Sequence, residues 1–152
     1  MGTTAPAARV RWWLLLAAAA LMTPVAWAMV SMASPTSDPT AFMNVRLGMS
    51  SSQIRARVEA PGQWSSTMGE DGLLLLHWEG QGDVESARFE LHEGILVAIR
   101  ADYRAPRTEE LTIAPEAVRQ VKTSPAGNGE LTILARGCPV HEDEVEALID
   151  AR

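Results

Sequence analysis

The chain has a single cysteine, Cys138, in 152 residues. One thiol cannot close a disulfide within the chain. Beside the apolar run Leu131-Thr132-Ile133-Leu134 it reads as a small buried hydrophobe; a free thiol or an intermolecular bridge is the other reading. Basic residues are also scarce, 13 against 19 acidic, and none form a cluster. Nucleic acid is therefore not an expected partner, because its phosphates would repel such a chain. Acidity serves solubility or a basic partner. No internal repeat of solenoid period is present. Gly-x-Ser-x-Gly, a glycine-rich phosphate loop and His-Glu-x-x-His are all missing. Cys138 and His141 make half a zinc site, with no second pair at finger spacing. No catalytic, cofactor-binding or metal residue is assigned, and the chain is not expected to be an enzyme.

What is present begins at the N-terminus. Arg9 and Arg11 precede the apolar run from Trp12 to Met22, followed by Pro24 and Ala26-Trp27-Ala28. A basic n-region, a short h-region and small residues at Ala26 and Ala28 make an export signal, cleaved after Ala28. Apolar character reaching Ala33 allows a second reading, a single membrane anchor of about 20 residues. Either way the arginines stay inside and the rest of the chain crosses the inner membrane. The first 28 residues hold two arginines and no acid, so residues 29–152 carry 11 basic against 19 acidic side chains.

The organisation expected is a signal or anchor at 1–28 (to 33 as an anchor), a linker at 29–41 and one α+β domain at 42–152. Pro35 and Pro39 among small polar residues mark the linker. Ser50 and Gln53 make a capping box for a short helix, with Met49 and Ile54 as its hydrophobic staple; Pro61-Gly62 ends it. Leu73 to Trp78 predicts a strand covered on both sides. Residues 84–103 predict a hairpin. A three-residue loop, His92-Glu93-Gly94, would pair Leu91 with Ile95, Phe89 with Val97 and Ala87 with Ile99, with Gly94 in the left-handed region. Arg88, Glu90, Arg100 and Asp102 would face outward. Glu109 to Ile113 reads as a strand, Pro115 to Lys122 as helix or extended chain, and Leu131 to Arg136 as a strand. His141 to Ala151 reads as a helix with the stripe Val145, Leu148 and Ile149. The architecture expected is an antiparallel sheet with short helices packed on one face.

Val45 to Ile54, with Gly48-Met49-Ser50, then Val58 and Pro61-Gly62, resembles the opening of the SmpA/OmlA (BamE-like) envelope domains. Ala87–Tyr103, turning at Gly94, is similar to that family's strands. The resemblance covers about residues 42–103. It implies a short capped helix before an antiparallel meander, and an envelope protein that contacts other proteins without catalysis. Family members commonly carry a lipid-modified cysteine at the processing site, and this chain has none there.

Among single residues, Trp64 is the candidate partner contact, in a loop after the helix; packing on the sheet edge is its other reading. His92 reads as a solvated turn residue and His77 as a hydrogen-bonded, partly buried imidazole. The function expected is binding or structural support in the envelope of a bacterium. The alternatives are a membrane-tethered sensor or regulatory domain, and an enzyme whose site would need His77 and an acid to converge in a cleft.

Overall fold

The structure, a computed structural model, describes residues 38–69 and 72–151. The signal or anchor segment, with Ala26 and Ala28, lies outside them. Among the described residues no helix is long and apolar enough to cross a membrane.

The described residues open with a small hairpin, β1 (Ala41–Phe42) and β2 (Val45–Arg46), turning at Met43 and Asn44. Helix α1 (Ser51–Arg57) follows. Gln53 Oε1 accepts the Ser50 N–H at 2.9 Å, as the capping box requires. Seven strands then form one antiparallel sheet: β3 (Gly62–Met68), β4 (Leu74–Gly80), β5 (Val84–His92), β6 (Ile95–Tyr103), β7 (Glu110–Ile113), β8 (Ala117–Thr123) and β9 (Gly129–Ala135). Their order across the sheet is β3-β4-β5-β6-β9-β8-β7, so β9 inserts beside β6 and leaves β7 at the far edge. Helix α2 (Glu142–Asp150) closes the chain. The segment Pro115–Lys122, open between helix and extended chain, is strand β8 for most of its length.

The first face of the sheet carries the main core. Leu76 and Trp78 of β4, Phe89 and Leu91 of β5, Leu96 and Ile99 of β6, and Leu131 and Ile133 of β9 are buried there against Phe42, Val45 and Ile54. Full burial of Phe89 alone is worth roughly 1.5–3 kcal/mol. The second face has a smaller core of Ala98, Val118 and Leu134 under Val145, with Leu148 and Ile149 packed beside it. Ala98 and Ile99 are neighbours on one strand, so they point to opposite faces. The two helices therefore cover opposite faces, not one face as expected. The cause is legible in β9, where Leu131, Ile133 and Leu134 are apolar at both parities and each face needs its own cover.

The hairpin also differs from expectation. Its loop has two residues, Glu93 and Gly94, with φ of 53° and 81°, and His92 pairs with Ile95. Two positive φ values in a two-residue loop are the signature of a type I′ turn, which suits strand twist. Leu91 pairs with Leu96, Phe89 with Ile99 and Ala87 with Ala101, with an irregularity between Glu90 and Leu91. Val97 is the extra residue of that bulge. It absorbs the one-residue offset, so a two-residue turn and joined apolar faces coexist. Leu96, not Ile95, turns inward.

β3 replaces the loop expected around Trp64. Its seven residues are exposed apart from half-buried Trp64, so no apolar alternation marks it. It is held by an unbroken ladder to β4.

Candidate functional site

The second face is covered at one end by α2 and bare at the other. On strands β4, β5, β6, β8 and β9 the side chains of this face are His77 and Glu79, Ser86 and Arg88, Arg100 and Asp102, Gln120 and Lys122, and Glu130 and Thr132, as register and alternation require. Beside the helix all of these but Glu79 line a hollow of about 350 Å³, walled by Glu144 and Leu148 of α2. His77, Ser86, Asp102 and Glu130 also line a second hollow of about 580 Å³ that runs on towards Arg104, Ser124 and Asn128. Together they make one open polar trough along the sheet.

The trough begins at a charge network. Glu90 is 5% exposed. Its Oε1 accepts hydrogen bonds from Arg88 Nε at 3.0 Å and Arg100 Nε at 2.9 Å. His141, which precedes α2, places Nε2 3.2 Å from Glu90 Oε2, a polar contact off hydrogen-bond geometry. Arg100 reaches the other way and donates to both carboxylate oxygens of Glu144, at 2.7 and 2.6 Å. Burial works to raise the Glu90 pKa, but His141, the Arg100 hydrogen bond and the charges of Arg100 and Arg88 outweigh it and hold the carboxyl down to about 2. The Arg100 hydrogen bonds hold Glu144 below the usual range too. The outward set Arg88, Glu90, Arg100 and Asp102 does share one face as expected, but Glu90 is not solvated. It is capped by α2.

Further along, polar side chains are paired. Ser86 Oγ donates to Asp102 at 2.8 Å, Lys122 Nζ lies 3.1 Å from Glu130, and His77 Nε2 lies 3.4 Å from Glu79. His77 and an acid therefore do meet in a cleft, the condition set for an enzyme. Their side chains are 40% and 68% exposed, and the Ser86 hydroxyl is engaged by Asp102. Solvated pairs of this kind exchange partners readily, since an exposed ion pair is worth about 0–1 kcal/mol. The trough can thus offer both a cation and an anion to an incoming polar chain at small cost.

The remaining candidates lie elsewhere. Trp64 is half-buried: it stacks on Phe89 at 5.8 Å and 30°, with the Arg55 guanidinium 5.1 Å from the centre of its ring. His92 ends β5 instead of standing in the loop, and its Nδ1 is 4.0 Å from Cys138 Sγ. Cys138 is buried, as expected of a small hydrophobe. Cys138 and His141 turn to different neighbours, His92 and Glu90. Among the described residues no three histidines, cysteines or acids are grouped to hold a metal.

Ser86, Lys122 and Glu130 were not singled out by the sequence, and Asp102 was placed only on the outward face. Their signal is polar alternation opposite Ala87, Ala101, Val121 and Leu131, which reads as an ordinary solvated face. No family model, curated protein or solved structure matches this chain.

Proposed function

We propose that this is a protein-binding domain of the bacterial cell envelope, exported or held by one N-terminal span. The observation that carries the reading is the trough: two adjoining hollows of mixed charge on the sheet face that α2 leaves bare. Its shape and its weakly engaged pairs suit an extended segment of a partner protein. The N-terminal pattern around Arg9, Arg11 and Ala26-Trp27-Ala28 supports the compartment. The resemblance of Gly48-Met49-Ser50 and Ala87–Tyr103 to SmpA/OmlA domains supports the class. The experiment is affinity capture from envelope fractions, with N-terminal sequencing of the captured chain. A specific co-purifying envelope protein is expected, with the mature chain starting at Met29 or, for an anchor, at the original N-terminus. Recovery from the cytosol without a partner would contradict the reading.

A second reading, an enzyme, draws on the contact of His77 with Glu79 in the same trough. The enzyme reading predicts a turnover that His77→Gln abolishes while the protein stays folded; the binding reading predicts no turnover in either form.

A further inference from the structure

The two edges of the sheet are built differently. A proline flanks each edge strand, Pro115 after β7 and Pro61 directly before β3, so what distinguishes β7 is that it is short, four residues, and carries the charge of Glu110. Those are the usual guards of an exposed edge. β3 at the other edge has seven residues, Gly62-Gln63-Trp64-Ser65-Ser66-Thr67-Met68, without charge or proline. Its register with β4 runs unbroken from Gly62 opposite Gly80 to Met68 opposite Leu74, so no bulge twists it away. Among the described residues no strand pairs with its outer side. Met68, at its end, is 69% exposed.

We propose that β3 pairs antiparallel with β3 of a second copy, about a twofold axis through Ser65. The self-complementarity of β3 selects this occupant, and three observations fix its place and register. The first is charge: the chain is net −6, so two copies repel over most of their surface, and the uncharged β3 is where their backbones can meet without opposing charges. The second is length. Centring on Ser65 pairs all seven residues, whereas a shift of the axis by one residue leaves five. The third is the fit of side chains, since directly opposed residues share a face. On the first face Trp64 meets Ser66 and Met68 meets Gly62, large against small each time. Gly62 carries no side chain and the room for a Cβ is filled by the buried Trp78 indole, so the exposed Met68 side chain meets no opposing side chain there. On the second face Gln63 meets Thr67 and Ser65 meets Ser65, all able to hydrogen-bond. The contact is isologous and closes at two copies. It leaves the trough free, and does not depend on the trough binding anything.

Light scattering on the purified mature protein over a range of concentrations tests this, with circular dichroism to verify that each variant is folded. A dimer is expected. Ser65→Lys sets two like charges opposite each other and should raise the dimer dissociation constant by at least about tenfold. In a Cys138→Ser background, Ser65→Cys should form a disulfide-linked dimer on mild oxidation, and Thr112→Cys on β7 should not. A protein monomeric at every concentration overturns the proposal. A dimer indifferent to Ser65→Lys overturns it too, as does a β3 edge that cross-links only to a different protein.

Discussion

Arg100 and Glu144 are joined by two parallel hydrogen bonds of 2.7 and 2.6 Å, and this fork fastens α2 to the sheet. Arg100 stands on β6, and Glu144 stands in the first turn of the helix, where a negative charge is favoured by the helix dipole. The same guanidinium donates to buried Glu90. Removing it strands a buried carboxylate with fewer partners, so Arg100→Met should cost about 2–4 kcal/mol in denaturant melts. Glu144 is more solvated, and Glu144→Gln should cost about 1 kcal/mol or less. Arg88→Ala, half exposed, should also cost under about 1 kcal/mol. If Arg88 proves costlier than Arg100, the network is anchored elsewhere.

Glu90 makes stability depend on acid. Its carboxyl titrates near 2 in the fold against an ordinary value of 4.5. The unfolded chain therefore takes up this proton first, and the contribution of Glu90 is complete above pH 4.5 and lost as pH falls towards 2. Glu144 acts with the same sign. Denaturation midpoints between pH 2 and 6 should fall with acid in the native protein and fall less steeply in Glu90→Gln. Identical slopes would show that Glu90 is not the group responsible.

The hairpin turn gives opposite expectations at its two positions. Gly94→Val puts a β-branched residue at φ 81° and should cost roughly 1–3 kcal/mol. Glu93 already occupies φ 53°, where asparagine is better tolerated. Glu93→Asn should therefore raise stability by a few tenths to about 1 kcal/mol. Phe89→Ala, fully buried opposite Ile99, should cost roughly 3–5 kcal/mol. Thermal melts rank the three, and a destabilising Glu93→Asn would exclude the type I′ turn.

Much of this fold was legible. The capping pair Ser50 and Gln53, the leucine strand ending at Trp78, the 84–103 hairpin and the last helix all announce themselves through local pattern. What escaped depends on contacts between distant segments. Nothing local distinguishes Val97 as a bulge residue, because the offset is set by two turn geometries competing for one register. β3 has no apolar period, since its ladder to β4 holds it and not its side chains. The trough was hidden for a related reason: the pair Ser86 and Asp102 and the pair Lys122 and Glu130 come together only when β9 inserts beside β6.

Trp78 lies flat over two glycines. A Cβ at Gly62 or Gly80 would overlap its indole ring. Gly80→Ala should therefore cost roughly 1–3 kcal/mol through overpacking, and should quench or shift Trp78 fluorescence. Gly82→Ala, in open space two residues on, should be close to neutral. Equal costs at the two positions would mean that the ring does not occupy that space.

The central claim is that the bare second face binds a partner in the envelope, and photo-cross-linking in the living cell tests it most directly. A photoreactive amino acid at Ser86, in the trough, is compared with one at Glu146, exposed on α2. The account predicts a discrete cross-linked envelope protein from position 86 and none from 146. Equal products from both positions, or none from position 86, would contradict it.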